Sequence, residues 1–151
     1  MNKKISVLIL AAVTMTASAV LAQTQAKEQF IAMTADDTNL KWSECPPGLT
    51  KGCTFAVLQG DPAQNNSDVL VKFPPKSTIE AHAHSSPEHM ILLSGQMTLQ
   101  YDGHPETIVK PGGFAYGPAK APHKATCNSD VPCVLFINFD LPVDVIAGQV
   151  K

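Results

Sequence analysis

The sequence predicts an all-β protein, an antiparallel double-sheet sandwich or barrel with one short helical segment near its N-terminus. Three observations support this prediction. The 12 prolines and nine glycines are spread along the chain, and proline disrupts helices because it lacks an amide donor and clashes with the preceding turn. About nine short strand-like segments follow one another at close spacing. The length of 151 residues, 44% of them hydrophobic, suits a single domain with a core.

Each predicted element is bounded by a capping or turn signal. Thr34 is suited to cap the short helix, which runs through Asp37 to Leu40. Turn-forming pairs such as Pro74-Pro75 and Asp102-Gly103 separate the strands that follow. The predicted strands are Thr54–Leu58, Asp68–Phe73, Thr78–His84, Glu88–Leu93, Met97–Tyr101, Glu106–Val109, Gly113–Tyr116, Pro122–Cys127 and Val134–Phe139.

Residues 1–22 have the pattern of a secretory signal peptide. Lys3 and Lys4 precede an apolar run that begins at Ile5, and small residues lead up to Ala22. We predict cleavage after Ala22, so that residues 23–151 form the single mature domain; an uncleaved membrane anchor is the alternative. A protein exported in this way is expected in the periplasm or outside the cell, without a stable membrane anchor after cleavage.

The charged residues exclude some classes of partner. All 11 basic residues are lysines, and the formal net charge is -2. Because the chain has no basic cluster, it lacks the electrostatic surface that nucleic-acid binding requires, and no nucleic acid is expected as a partner. Because it has no arginine, it cannot clamp a carboxylate or phosphate with a bidentate guanidinium group.

Four cysteines lie in the predicted mature part, and an even number in an oxidising compartment favours disulfides. Of the three pairings that can be drawn, we predict the local one, Cys45 with Cys53 and Cys127 with Cys133. Each of these pairs brackets a turn-rich stretch, and the second flanks a predicted hairpin loop. The alternative is a structural zinc site, but neither pair has the close spacing typical of one.

Histidines are concentrated in one short segment. Residues two apart on a strand point to the same face, so His82 and His84 are neighbours on one side. Glu88 opens the next strand and can return over the same centre, and His123, after a proline-rich turn, can complete the set. Imidazole and carboxylate are the usual ligands of divalent metals, so we predict a metal site. His89 directly follows Glu88 and should point to the opposite face.

The spacing of these residues resembles the two sequence motifs of the cupin superfamily. The residues that match are His82-x-His84-xxx-Glu88-xxxxxx-Gly95 for the first motif, and Gly112-xxxxx-Pro118 followed by His123 for most of the second. The resemblance covers Phe73 to Phe139, and more loosely the whole mature chain. It extends to a bacterial subgroup of small cupins through the stretch Pro111-Gly-Gly-Phe-Ala-Tyr-Gly-Pro.

Three positions depart from the cupin pattern. Lys76 and Lys120 stand where the pattern has glycine, and Cys127 stands where it has asparagine. None of these departures removes a metal ligand. The expectation of metal binding therefore holds, whereas a particular cupin activity does not follow from the motifs.

The resemblance implies a cupin-type barrel of two antiparallel sheets, which agrees with the strand count. It also implies that His82, His84, Glu88 and His123 hold one divalent transition metal, which is iron, manganese, nickel, copper or zinc. Four protein ligands on an octahedral ion would leave two positions for water, dioxygen or substrate. Tyr116 is the candidate for a position directly behind the ligands, because tyrosine combines an aromatic body with a polar group; core packing is its alternative role.

Three functions stay open on the sequence alone. The first is a metal-dependent oxygenase-type enzyme that acts on a small organic substrate. The second is a metal-dependent isomerase or lyase, for which the lack of arginine argues against sugar phosphates. The third is a non-catalytic module that binds or senses a small-molecule ligand. A homodimer is a further hypothesis, because the apolar segment from Gln29 to Met33 can be covered by a second subunit or by its own domain.

Overall fold

The computed structural model describes residues 29–150, and the predicted signal peptide, residues 1–22, lies outside them. This part of the chain contains β-strands and no helix, so the all-β prediction is confirmed. The strands are β1 (Ser43–Glu44), β2 (Thr54–Gln59), β3 (Ser67–Phe73), β4 (Thr78–Ala83), β5 (Glu88–Ser94), β6 (Met97–Tyr101), β7 (Thr107–Val109), β8 (Phe114–Gly117), β9 (His123–Cys127), β10 (Cys133–Phe139) and β11 (Ile146–Ala147). The predicted strands correspond to β2 through β10, and the two-residue strands β1 and β11 were not predicted.

The chain divides into two units. All the strands belong to the second unit, Met33–Lys151. Of the first unit, Met1–Ala32, the structure describes only residues 29–32, in which Phe30 and Ile31 are exposed. The homodimer suggested for this apolar segment stays a prediction.

Two antiparallel sheets form the second unit. One has six strands in the order β1-β2-β3-β10-β5-β8, and the other has five in the order β11-β4-β9-β6-β7. Strands distant in sequence, such as β3 and β10, lie side by side, as in jelly rolls. The core lies between the sheets, and inward-facing apolar side chains alternate with outward-facing ones along strands such as β5.

The predicted barrel is not closed. No strand pairing joins the two sheets within residues 29–150, so the domain is a double-sheet sandwich. The turn between β7 and β8 shows the physical reason. The Gly112 amide donates to the Leu92 carbonyl at 2.7 Å, and the Leu92 amide donates to the Gly113 carbonyl at 3.1 Å. These bonds direct β8 onto β5 of the other sheet, so that β7 and β8 end on the edges of different sheets.

The predicted N-terminal helix is wrong. The segment instead makes two successive turns, in which the Asp37 amide donates to the Thr34 carbonyl at 3.1 Å and the Leu40 amide donates to the Asp37 carbonyl at 3.2 Å. The Asp37 carboxylate also accepts a hydrogen bond from the Asn39 amide at 2.8 Å. Short polar side chains that bond to the nearby backbone compete with helical hydrogen bonds, and this competition accounts for the turns.

Both disulfides form with the predicted local pairing, Cys45–Cys53 and Cys127–Cys133. The first joins the segment after β1 to the residue before β2. The second joins β9 to β10, which lie in different sheets, so it ties the two sheets together. Disulfides persist in oxidising compartments, which agrees with an exported protein. No helix among residues 29–150 is long and apolar enough to cross a membrane.

Candidate metal centre

The four residues singled out in the sequence lie together at one end of the space between the sheets. His82 on β4 pairs directly with His123 on β9, and His84 follows the end of β4. Glu88 reaches the same place from the opposite sheet, because it begins β5. All four are buried, with at most 6% of each residue's surface exposed.

The distances within this cluster are short enough for one ion. The candidate ligand atoms of the three histidines all lie within 4.8 Å of one another. The Glu88 carboxylate lies beside them, with Oε1 3.4 Å from Nε2 of His84 and Oε2 3.5 Å from Nε2 of His123. The strand register thus produces the grouping that the sequence motifs imply.

Each imidazole is oriented by a hydrogen bond from its Nδ1 to a backbone carbonyl. The pairs are His82 with Glu80 at 2.8 Å, His123 with Ala121 at 3.1 Å, and His84 with Asp144. A carbonyl can only accept, so Nδ1 carries the proton and Nε2 keeps its lone pair. Histidines that bind metals are held in this way, with the second nitrogen bonded to a carbonyl or carboxylate.

The electrostatics of the cluster favour a bound cation. Burial lowers the pKa of all three histidines, that of His123 to about 3, so the imidazoles are neutral. Burial also raises the pKa of Glu88 to about 8, because removing a carboxylate from water disfavours its charged form. Without a cation, Glu88 therefore holds its proton near neutral pH, and a bound cation would favour its carboxylate form beside the three imidazole lone pairs. This donor set fits a divalent transition metal.

Tyr101 is the site residue that sequence reasoning missed. Its ring stacks on His123 with centroids 4.6 Å apart, and its hydroxyl donates to Oε2 of Glu88 at 3.3 Å. Burial, followed by the proximity of Glu88, raises the pKa of Tyr101, so the hydroxyl keeps its proton. The strand pairing places Tyr101 directly opposite His123. The only sequence signal was its place at the end of a predicted strand, and that signal does not say which strand lies alongside.

The structure does not bring Tyr116 to the cluster. Its side chain is about half exposed, and its ring contacts that of His89 with centroids 5.0 Å apart. His89 lies on the outer face of β5, as predicted. Tyr116 points outward because the alternation along β8 turns the next residue, Gly117, toward the site. A Cβ at Gly117 would overlap the Tyr101 hydroxyl and lie 2.9 Å from Oε2 of Glu88, so glycine leaves room for this hydrogen bond.

Two loops hold the His84 segment in place. The Asp144 carboxylate accepts a hydrogen bond from the Ser85 amide at 2.7 Å, in addition to the carbonyl contact with His84. The Lys120 amide donates to the His84 carbonyl at 2.7 Å. Lys120 and Lys76 adopt φ values of 62° and 55°, in the left-handed region that favours glycine. At both positions the cupin pattern has glycine, so the backbone conformation is retained although the residue differs.

An apolar cavity of about 260 Å³ adjoins the cluster. Its walls are inward-facing side chains of both sheets, for example Val71 and Leu99, and residues of the loops before β2, before β3 and before β11 also line it. Within residues 29–150, the polar side chains that line this cavity are those of the three clustered histidines and Glu88. Any reaction at a metal bound by the cluster would therefore take place beside an apolar wall.

The fold and the site define a class of protein: a small double-sheet jelly roll with a buried histidine and carboxylate cluster at one end of its core. Residues 69–140 match the family model described as Cupin domain. The matched segment contains all four clustered residues, His82, His84, Glu88 and His123. A comparison with curated protein sequences found no match.

Proteins whose solved structures have the same fold are described as different kinds of enzyme. The DMSP lyase DddQ from Ruegeria pomeroyi DSS-3 is 22% identical over 72% of this chain and 60% of its own, with a TM-score of 0.60. The polyketide cyclase RemF from Streptomyces resistomycificus is 20% identical over 80% of this chain and 88% of its own, with a TM-score of 0.64. The oxalate decarboxylase of Lactobacillus farciminis is 20% identical over 72% of this chain and 33% of its own, with a TM-score of 0.58. The chain thus spans about 60% of the lyase, and at these identities the likeness shows the fold.

Proposed function

We propose that the protein is an exported metalloenzyme in which His82, His84, Glu88 and His123 hold one divalent transition metal. The observation that carries this proposal is the grouping of three buried imidazoles within 4.8 Å, each with Nδ1 bonded to a carbonyl. Such a metal supplies Lewis-acid or oxygen-activating chemistry when it is bound. Export rests on the signal-peptide pattern and is supported by the two disulfides, so the expected location is the periplasm or outside the cell.

An oxygenase-type reaction on a small organic substrate agrees best with the cavity. An isomerase or lyase needs a group that moves a proton within hydrogen-bond distance of the substrate. Among the described residues, the titratable side chains that line the cavity are the four proposed ligands themselves. The Tyr101 hydroxyl is directed at Glu88 and does not line the cavity. Isomerase or lyase chemistry is therefore the second candidate, and a non-catalytic ligand-binding module is the third.

The residues of the chain have separate roles in this proposal. The backbone carbonyls of Glu80, Ala121 and Asp144 hold the imidazoles in one orientation and one tautomer. The Tyr101 hydroxyl orients the Glu88 carboxylate, which is also held by its place at the start of β5. The apolar walls of the cavity bind the body of the substrate and exclude water from the reacting centre.

The relatives support the fold and leave the reaction open. The three similar structures are described as a lyase, a cyclase and a decarboxylase, so one fold hosts several kinds of chemistry. The choice of an oxygenase-type reaction therefore depends on the cavity, where the described lining residues include no titratable group besides the four proposed ligands.

Metal analysis followed by oxygen-consumption measurements tests this function. Protein recovered from its native compartment is expected to contain roughly one transition-metal ion per chain, because the donor set is that of a single-ion site. With a panel of small organic molecules, oxygen uptake is expected to require that metal and to disappear in His123→Ala. Metal-dependent turnover without oxygen uptake would contradict the oxygenase proposal and favour a lyase. A protein that binds ligands but turns none over would favour the non-catalytic module.

Tyr101→Phe is expected to weaken metal binding by about tenfold, because it removes the hydroxyl that orients Glu88 while it keeps the ring stacked on His123. The measurement is a titration with zinc or cobalt in the presence of a competing chelator. Tyr116→Phe is the matched control and should leave the affinity unchanged, since Tyr116 lies on the outer face of the sheet. Equal losses in both variants would show that the hydroxyl of Tyr101 has no specific role.

A further inference from the structure

We propose that the cavity selects molecules that have a single negatively charged head and a compact apolar body, and that it discriminates against dianions and polyhydroxylated molecules. The inference rests on the proposed function, because the charged head is placed at the metal centre. It goes beyond that function by naming the chemical class of the ligand. The argument depends on the walls of the cavity, its charge balance and its hydrogen-bonding capacity.

The walls are apolar from the cluster to the surrounding loops. Side chains of Val69, Val71, Leu135 and Ile137 face the cavity from the six-stranded sheet, and Leu99 faces it from the five-stranded sheet. Burying apolar ligand surface against such side chains is favourable in proportion to the area removed from water. The volume of about 260 Å³ lies below the range typical of drug-sized ligands, so the body must be compact.

The charge balance favours one negative charge on the ligand. Three neutral imidazoles and one carboxylate around a divalent ion leave a single net positive charge. One anionic head neutralises this charge. A second anionic group would need another cation, but no lysine lines the cavity within residues 29–150 and the chain has no arginine. An unpaired buried charge is costly, so a dianion is disfavoured.

The hydrogen-bonding capacity of the cavity excludes polyhydroxylated molecules. The Nδ1 atoms of the three histidines are already bonded to backbone carbonyls. Two of the loop residues that line the cavity, Pro46 and Pro62, have no amide hydrogen to donate. The hydroxyl groups of a sugar would therefore lose their bonds to water without replacement, which makes binding unfavourable.

Calorimetry on the cobalt- or zinc-loaded protein, with its disulfides intact, tests this selectivity. The probes are acetate, butyrate, hexanoate and succinate, and metal content is measured first on the same sample. The affinity is expected to increase about fourfold for each added methylene from acetate to butyrate, and to level off when the chain fills the cavity. Butyrate is expected to bind at least about tenfold more tightly than succinate, which has the same number of carbons and a second charge.

A wall variant tests the charge balance directly. Val143 lines the cavity from a loop and is only partly buried, so Val143→Lys is expected to fold and to add a cation at the cavity. The preference for butyrate over succinate should then fall by about tenfold or reverse. Ile91→Lys is the matched control, because Ile91 is partly exposed on the outer face of β5; its preference should equal that of the unmodified protein.

The outcomes separate this inference from the proposed function. A protein that binds no metal, with cadmium included among the ions tested, overturns both. A protein that binds one metal but takes up succinate as tightly as butyrate, or shows no dependence on chain length, overturns the ligand class alone. The unmodified protein decides these points even if Val143→Lys does not fold.

Discussion

Replacing His82, His84 or His123 by alanine is expected to abolish tight metal binding. Each change removes one of four proposed donors, and structural metal sites gain several kcal/mol from each ligand, so an affinity loss of about 100-fold or more is expected. Removal of a neutral buried imidazole leaves no unpaired charge, so each variant should remain folded without metal. The measurement is competitive titration with a chromophoric chelator, and circular dichroism checks the fold.

His89→Ala is the matched control for these variants. His89 lies one residue beyond Glu88 but on the outer face of β5, where it contacts Tyr116 and lies 4.0 Å from Asp140. Its removal should change the metal affinity by no more than about twofold, since its ring contacts Phe114 and Tyr116 on the outer face of the sheet. An equal loss in His89→Ala would contradict the assignment of the ligands. His89 is excluded from the set only because successive side chains of β5 point to opposite faces of the sheet.

The double variant Cys127→Ser/Cys133→Ser is expected to lower the melting temperature by about 10 °C. A disulfide that closes so short a loop stabilises by about 2–3 kcal/mol in the chain-entropy model. This disulfide also ties β9 to β10, and the cluster draws ligands from both sheets. Metal affinity should therefore fall with stability. Differential scanning calorimetry and metal titration of the same preparation measure the two effects.

Cys45→Ser/Cys53→Ser separates the two effects. This disulfide joins the residue after β1 to the residue before β2, two paired strands of one sheet, so its loss should lower the melting temperature without a matching loss of metal affinity. A non-reducing peptide map should find the two local pairs, and a crossed pair would contradict the pairing. If the Cys127/Cys133 variant binds metal as tightly as the unmodified protein, the proposed coupling between this disulfide and the metal site is wrong.

Much of the predicted fold followed from local sequence patterns. The strands from β2 to β10 were predicted from segments of strand-like residues that lie between proline and glycine turns. This was possible because the pattern of a strand is visible within a few neighbouring residues. The disulfide partners are only eight and six residues apart, so a local argument sufficed for them as well. The same reasoning failed at Thr34, where side-chain hydrogen bonds within the segment favoured turns over a helix.

By itself, the sequence determined the all-β class, the disulfide pairing and the side of the strand on which His82 and His84 lie, since each depends on neighbours within a few residues. Only the tertiary structure decided the rest. Strand order places β6 beside β9, which brings Tyr101 onto His123, and the β7–β8 turn sends β8 to the other sheet, which leaves Tyr116 outside and turns Gly117 inward. Strand order and sheet packing depend on contacts between distant segments. The alternation of side chains along a strand has a period of two in every arrangement of the strands, so it cannot distinguish one arrangement from another.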